Sequence, residues 1–276
     1  MNNILVRTIS GTVFISLILV PLFFKDSIYA TLILSAFAFL GMIEYSKLFS
    51  SSSLVSIDWR INTFFKSLIF GVITLGLYGT FGDYITPIIF LSIPLIFSWM
   101  IIELWRKQEQ PLINISISLF GFFYVSIPFI LAIEINLSDF NSFPLLAGMF
   151  ILIWTNDTFA FLSGKFFGKT KLFERISPKK TWEGTIGGAI FTFLMAFSLS
   201  LLFDSENLFF WLISATIIIP CAILGDLLES LFKRSLDLKD SGNIMPGHGG
   251  ILDRFDAALF TLPFFYFWLL IYTYFC

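Results

Sequence analysis

Apolar residues run along this chain in long blocks separated by short polar ones, and blocks of about 17 to 25 residues are what an α-helix needs to cross a bilayer. Nine such blocks stand out, at 8–24, 27–43, 67–82, 84–102, 114–133, 143–163, 185–203, 208–232 and 255–275. Lipid offers no partner to a free backbone N–H or C=O, so each block must be helical. The expected fold class is all-α, a polytopic integral membrane protein. The third block is short, and only Gly82-Asp83 divides it from the fourth. Arg7 before the run Ile9 to Phe24 imitates the charged start of a signal peptide, but no small-residue cleavage site precedes Lys25-Asp26, so the run reads as a retained first span.

The polar intervals orient the spans. With nine of them, the N-terminus and the loops 44–66, 103–113, 164–184 and 233–254 share one side, and together they hold 16 of the 17 Lys and Arg residues, with Lys25 alone opposite. The positive-inside rule makes that side cytoplasmic, with the N-terminus inside and the C-terminus outside. Composition agrees with a membrane protein: 57% of residues are hydrophobic, 13% are charged, and there are 37 Phe. The net charge of −2 identifies no partner. Cys221 and Cys276 read as unpaired thiols, and two Cys with a single His leave no set of ligands for structural zinc.

Charge and glycine concentrate abruptly between Gly225 and Asp256. On the helix that opens this stretch, Asp226, Glu229 or Ser230, and Lys233 recur at i, i+3/i+4 and i+7 and so share one face. The middle, Lys239-Asp240-Ser241-Gly242 through Pro246-Gly247-His248-Gly249-Gly250, is too rich in Gly and Pro for helix; successive N–H groups in such a loop can form an anion-binding nest, for which phosphate is a natural guest. A new helix then carries Asp253 and Asp256 on one face with Arg254 beside them. Hard carboxylate oxygens next to a phosphate cradle suggest Mg²⁺.

Two earlier features point the same way. Asn156-Asp157 sits toward the cytoplasmic end of the sixth block, where a polar pair is costly and marks a functional position. The loop 164–184 carries six basic residues and two acidic ones. Ordinary topology and attraction to anionic headgroups account for part of this excess, but Lys179, Lys180 and Glu183, directly before a Gly-rich helix start, look like a phosphate clamp. Gly184, Gly187 and Gly188 equally suit close helix packing.

Three groups of these residues carry a resemblance. Ser230-x-Phe232-Lys233-Arg234 with Lys239-Asp240-x-Gly242 and Pro246-x-His248-Gly249-Gly250-x-x-Asp253-Arg254-x-Asp256 looks like the hallmark motif of phosphatidate cytidylyltransferases, the CDP-diacylglycerol synthases. Ser177-Pro178-Lys179-Lys180-Thr181-x-Glu183-Gly184 and Asn156-Asp157-x-x-Ala160 also resemble that family, so the similarity spans residues 156–256. Met245 stands where Leu, Ile or Phe is expected, an apolar exchange of little consequence. Upstream of residue 140 no motif is recognised. The chain therefore divides into N-terminal transmembrane helices, 1–140, and a C-terminal catalytic transmembrane region, 141–276, facing the cytoplasm.

The resemblance implies that CTP and phosphatidate give CDP-diacylglycerol and pyrophosphate in phospholipid biosynthesis. Asp226, Asp253 and Asp256 would hold Mg²⁺, with room for a second cation, and Asp226 and Asp253 would meet around one ion. Lys233, Lys239 and Arg254 would meet phosphate charge, and Asp240 completes the catalytic set. His248 either hydrogen-bonds a phosphate or orients its loop. Asn156, Asp157, Lys179, Lys180, Glu183, Ser230, Arg234, Gly249 and Gly250 would contact substrate. The partners are CTP, phosphatidate and membrane lipid, with no nucleic acid; a homodimer is compatible, and a bacterial plasma membrane is the expected location. A cation-coupled transporter competes, since Asp157, Asp226 and Glu229 could line a path. Against it, ionisable residues gather at one face and no matched pair of broken helices flanks the midplane. A lipid kinase or another lipid nucleotidyltransferase is the remaining alternative. The Asp and Gly spacing of the CDP-alcohol phosphotransferases does not occur.

Overall fold

The computed structural model describes residues 3–24, 26–51, 56–78, 90–138, 144–202, 207–242, 244–245 and 249–275. They are almost entirely helical. Among them, seven helices are long and apolar enough to cross a membrane, alongside the shorter apolar run Thr8–Leu22. The chain is thus an all-α integral membrane protein by length and composition of its helices. The expected division between the third and fourth spans falls at residues outside the described ones.

Contacts divide the chain into two compact units, one of Met1–Ser138 with Asp240–Asp253 and one of Asp139–Lys239 with Arg254–Cys276. The first unit contains α1 (Asn3–Leu22), α2 (Ile28–Ser50), α3 (Trp59–Tyr78), α4 (Ser92–Arg106), α5 (Pro111–Gly121) and α6 (Ile127–Leu137), with five π-helical residues, Phe122–Ser126, joining the last two. Pro128 explains that join. Its ring has no N–H and crowds the carbonyl four residues back, and a wider turn immediately before it relieves the clash.

The loop expected at 44–66 is much shorter, because α2 continues to Ser50 and α3 begins at Trp59. Asp58 starts α3 by accepting the N–H of Arg60 at 2.8 Å. The polar residues that interrupt the apolar pattern remain helical by finding partners inside the bundle. Asn62 Nδ2 donates to Ser118 Oγ at 3.1 Å, and the fully buried Lys66 places its ammonium 4.6 Å from the centre of the Tyr45 ring. Lys66 therefore belongs to a helix core and not to the loop in which its charge was counted.

The second unit contains α7 (Leu145–Phe167), an antiparallel hairpin of β1 (Lys171–Phe173) and β2 (Ser177–Thr181), α8 (Trp182–Leu202), α9 (Leu208–Ser235) and most of α10 (Leu252–Phe275). Its core includes the fully buried Phe210, Trp211 and Phe265, and Trp268 Nε1 donates to Ser214 Oγ at 3.1 Å. Many large apolar side chains of α8, such as Ile186, Leu194 and Leu201, are exposed, as a lipid-facing helix requires.

Candidate active site

Glycine lets the helices of the second unit approach closely enough to gather charge. At Gly225 a Cβ would lie 2.7 Å from the carbonyl oxygen of Asp256 and 3.1 Å from Cα of Ala257, so α9 and α10 touch backbone to backbone beside Asp226 and Asp256. At Gly184 and Gly188 a Cβ would meet the carbonyl oxygens of Ala160 and Asn156 at 2.7 and 2.8 Å. The glycines at the start of α8 thus serve packing against α7, the second of the two roles their spacing allowed. Asn156 is buried at this contact.

The charged residues then converge. Lys180, at the end of β2, forms a 2.6 Å ion pair with Asp226, and its ammonium also donates to the carbonyl of Ile223 at 3.4 Å. Asp157 lies within electrostatic reach of Lys180 and Asp226. Asp256 lies within reach of Asp226, Glu229 and Asp157. Along α9, Ser230 Oγ donates to Asp226 Oδ1 at 3.3 Å and Lys233 pairs with the buried Glu229 at 2.8 Å, realising the charged face expected from the spacing. Three helices supply four carboxylates to this cluster and the hairpin supplies one lysine.

Several residues have other tasks. Glu183 accepts the N–H groups of Lys169 and Thr170 at 3.1 Å each, which closes the base of the hairpin. Thr181 Oγ1 accepts the N–H of Gly184 at 3.2 Å and caps α8. Arg234 donates to the carbonyl of Leu238 at 3.1 Å, where α9 ends. Lys179, Lys239, Asp240 and Arg254 are exposed. His248 lies outside the described residues.

The first unit holds the other part of the motif. Asp253 Oδ2 accepts N–H groups from Ser241 at 2.9 Å and Gly250 at 2.8 Å, so one carboxylate oxygen ties the two ends of the loop together. Within it, the N–H of Met245 donates to the carbonyl of Gly249 at 2.9 Å. Gly249 has φ of +83°, and a Cβ there would lie 2.5 Å from Asp253 Oδ2, so only glycine suits the position. The N–H of Gly250, expected to face phosphate, faces Asp253 instead. Sequence reasoning missed Glu44 of α2, which is buried and accepts the N–H of Leu252 at 3.0 Å. The available signal was weak: a carboxylate directly after the second apolar block, at the start of the expected loop 44–66.

The chain matches the model of the cytidylyltransferase family over residues 5–272. It is 34% identical over 277 residues to the phosphatidate cytidylyltransferase of Haemophilus influenzae, covering 94% of this chain and 96% of that protein. Identity to the enzyme of the same name from Bacillus subtilis is 41% over 151 residues, 54% of this chain and 56% of that one. For the Staphylococcus aureus enzyme it is 49% over 116 residues, 41% and 44% of the two chains.

Proposed function

The chain belongs to the cytidylyltransferase family, and from that premise we propose that the cluster of Asp157, Asp226, Glu229 and Asp256 with Lys180 is where its reaction takes place. The protein transfers the cytidylyl group of CTP to phosphatidate, giving CDP-diacylglycerol and pyrophosphate. A phosphate oxygen of phosphatidate forms a bond to the α-phosphorus of CTP, and the bond from that phosphorus to the bridging oxygen breaks, releasing pyrophosphate. The attacking monoester has its second pKa near about 6 and is largely ionised at neutral pH, so no side chain need remove a proton. The task is to bring two polyanions together in line, which calls for fixed positive charge and positioning.

The observation that carries this reading is the gathering of carboxylates around one lysine. Like charges within electrostatic reach of one another are costly without a cation; among the described residues no three acids form a ready-made ligand group, so the arrangement suits Mg²⁺ held by one or two carboxylates, with phosphate and water supplying the rest. Asp226 and Asp256, with Asp157 beside them, would hold it. When bound it offsets negative charge on nucleotide phosphate oxygens. Lys180 is held by Asp226 and the Ile223 carbonyl, which fixes its ammonium at the cluster. Lys233 is braced by Glu229. Lys239 and Arg254, exposed near the ends of α9 and α10, would meet phosphate charge.

The site is assigned to the cytoplasmic face of a bacterial plasma membrane, with nine spans and the C-terminus outside, on the strength of the distribution of basic residues, 15 to 1 once the buried Lys66 is set aside. Single-cysteine labelling at position 171 in intact cells checks this: an impermeant reagent should not reach it from outside. The reaction is tested with purified protein in detergent and labelled CTP. Pyrophosphate release that depends on phosphatidate, with the CMP moiety left on lipid, supports the proposal, whereas transfer of the γ-phosphate to lipid makes the protein a kinase.

A further inference from the structure

Glu44 is the one acidic residue of α2, a helix that is otherwise apolar apart from Lys47 in its last turn and a few Ser and Thr residues. Its side chain is buried, with 4% of its surface exposed, and among the described residues it has no ion pair. A carboxylate in such a position is destabilising unless other groups solvate it. Here a loop does so. Glu44 Oε2 accepts the N–H of Leu252 at 3.0 Å and faces Ser241 Oγ at 3.5 Å, and the backbone of Ile251 also bonds to the carboxylate. Leu252 is the first residue of α10, so Glu44 caps that helix from 208 residues away in sequence.

The glycines around it show how closely the loop wraps this group. At Gly242 a Cβ would stand 2.6 Å from Glu44 Oε1, and its three nearest contacts would all be Glu44 atoms. At Gly250 a Cβ would stand 2.6 Å from Glu44 Oε2. Glu44 therefore touches both ends of the motif loop, Ser241-Gly242 and Gly250 to Leu252. Asp253 ties the same two ends through backbone N–H groups. One carboxylate closes the loop from within and the other holds it to a helix of the region that carries no motif.

We infer that Glu44 is a positioning residue for cytidylyl transfer, a buried acceptor that fixes Ser241-Gly242 and Gly250 to Leu252, the start of α10, in their working conformation. This rests on the activity assigned above. Glu44 acts by accepting hydrogen bonds, so an amide oxygen in the same place can replace its carboxylate. The inference separates acceptor from charge.

The experiment compares Glu44→Ala, Glu44→Gln and Gly242→Ala with wild type in detergent, by steady-state kinetics and by hydrogen exchange of the 240–253 backbone. Loss of an orienting partner costs about 10- to 100-fold, so Glu44→Ala should lose that much in kcat, more than any change in KM, and the amides of Ile251 and Leu252 should exchange faster. Glu44→Gln should stay within about threefold of wild type and keep slow exchange, since it retains the acceptor. Gly242→Ala, whose methyl displaces the carboxylate, should resemble Glu44→Ala, and the double variant should be no worse than either single one. Wild-type rate and exchange in Glu44→Ala would overturn the inference. So would Glu44→Gln as impaired as Glu44→Ala, because the charge would then be what matters. If wild type itself fails to release pyrophosphate with phosphatidate, the assigned activity falls, while the exchange data still judge the role of Glu44 in the loop.

Discussion

Carboxylates are handled in opposite ways in the two units of this protein. In the N-terminal unit Glu44 and Asp253 face backbone N–H groups: Leu252 donates to one, and Ser241 and Gly250 donate to the other. In the C-terminal unit Asp157, Asp226, Glu229 and Asp256 lie within electrostatic reach of one another, with Lys180 paired to Asp226 and Lys233 to Glu229. An acceptor surrounded by N–H donors gives a loop its shape. Acids that share one electrostatic neighbourhood with two lysines are the group proposed to take a cation and phosphate. Acidity alone therefore does not mark chemistry in a membrane protein; the partner of each oxygen decides its role.

The largest effect should come from the second group. Asp226→Asn removes charge from the cluster and weakens the pairing with Lys180, and turnover should fall by roughly 10²- to 10³-fold, as for loss of a group acting on the transition state, with the thermal unfolding midpoint little changed. Asp253→Ala instead withdraws the acceptor shared by Ser241 and Gly250. Activity falls there too, but its signature is faster exchange of those two amides, which Asp226→Asn should leave slow. Equal exchange in the two variants would erase the contrast.

Lys180→Gln should cost about tenfold or more in kcat/KM, well beyond the ~1 kcal/mol that a basic residue contributes to attraction by an anionic membrane. Kinetics in neutral detergent separate the two. Gly225→Ala tests the packing beneath the cluster: a methyl against the backbone of α10 should destabilise by about 1–3 kcal/mol, read as a lower unfolding midpoint. The smallest effect is expected at Lys179→Gln, because that side chain is exposed and has no ion pair among the described residues. A loss as large as that of Lys180→Gln would make the pair a joint phosphate clamp.

Much of this was legible beforehand. Apolar runs located the helices, because lipid allows few other ways to satisfy a backbone, and the periodicity of Asp226, Ser230 and Lys233 foretold their shared face. What escaped had weaker local signals. The hairpin at 171–181 is short, basic and interrupted by Pro178, with none of the alternation that marks a strand. The start of α3 was hidden by Asn62 and Lys66, whose partners lie on other helices. Gly225 was given no role within the block 208–232, although its task is to bring α10 close. Glu44 lies far from every recognised motif, and only the fold brings it to Leu252.

A double-mutant cycle of Asp226→Asn and Asp256→Asn, measured as phosphatidate-dependent pyrophosphate release across a Mg²⁺ titration, tests most directly whether the two carboxylates form one site. Each single variant should nearly abolish turnover and shift the Mg²⁺ requirement, and the double variant should be hardly worse than either, because both changes damage one site. Near-normal rates with an unaltered Mg²⁺ requirement, or losses that simply multiply, would contradict the single site.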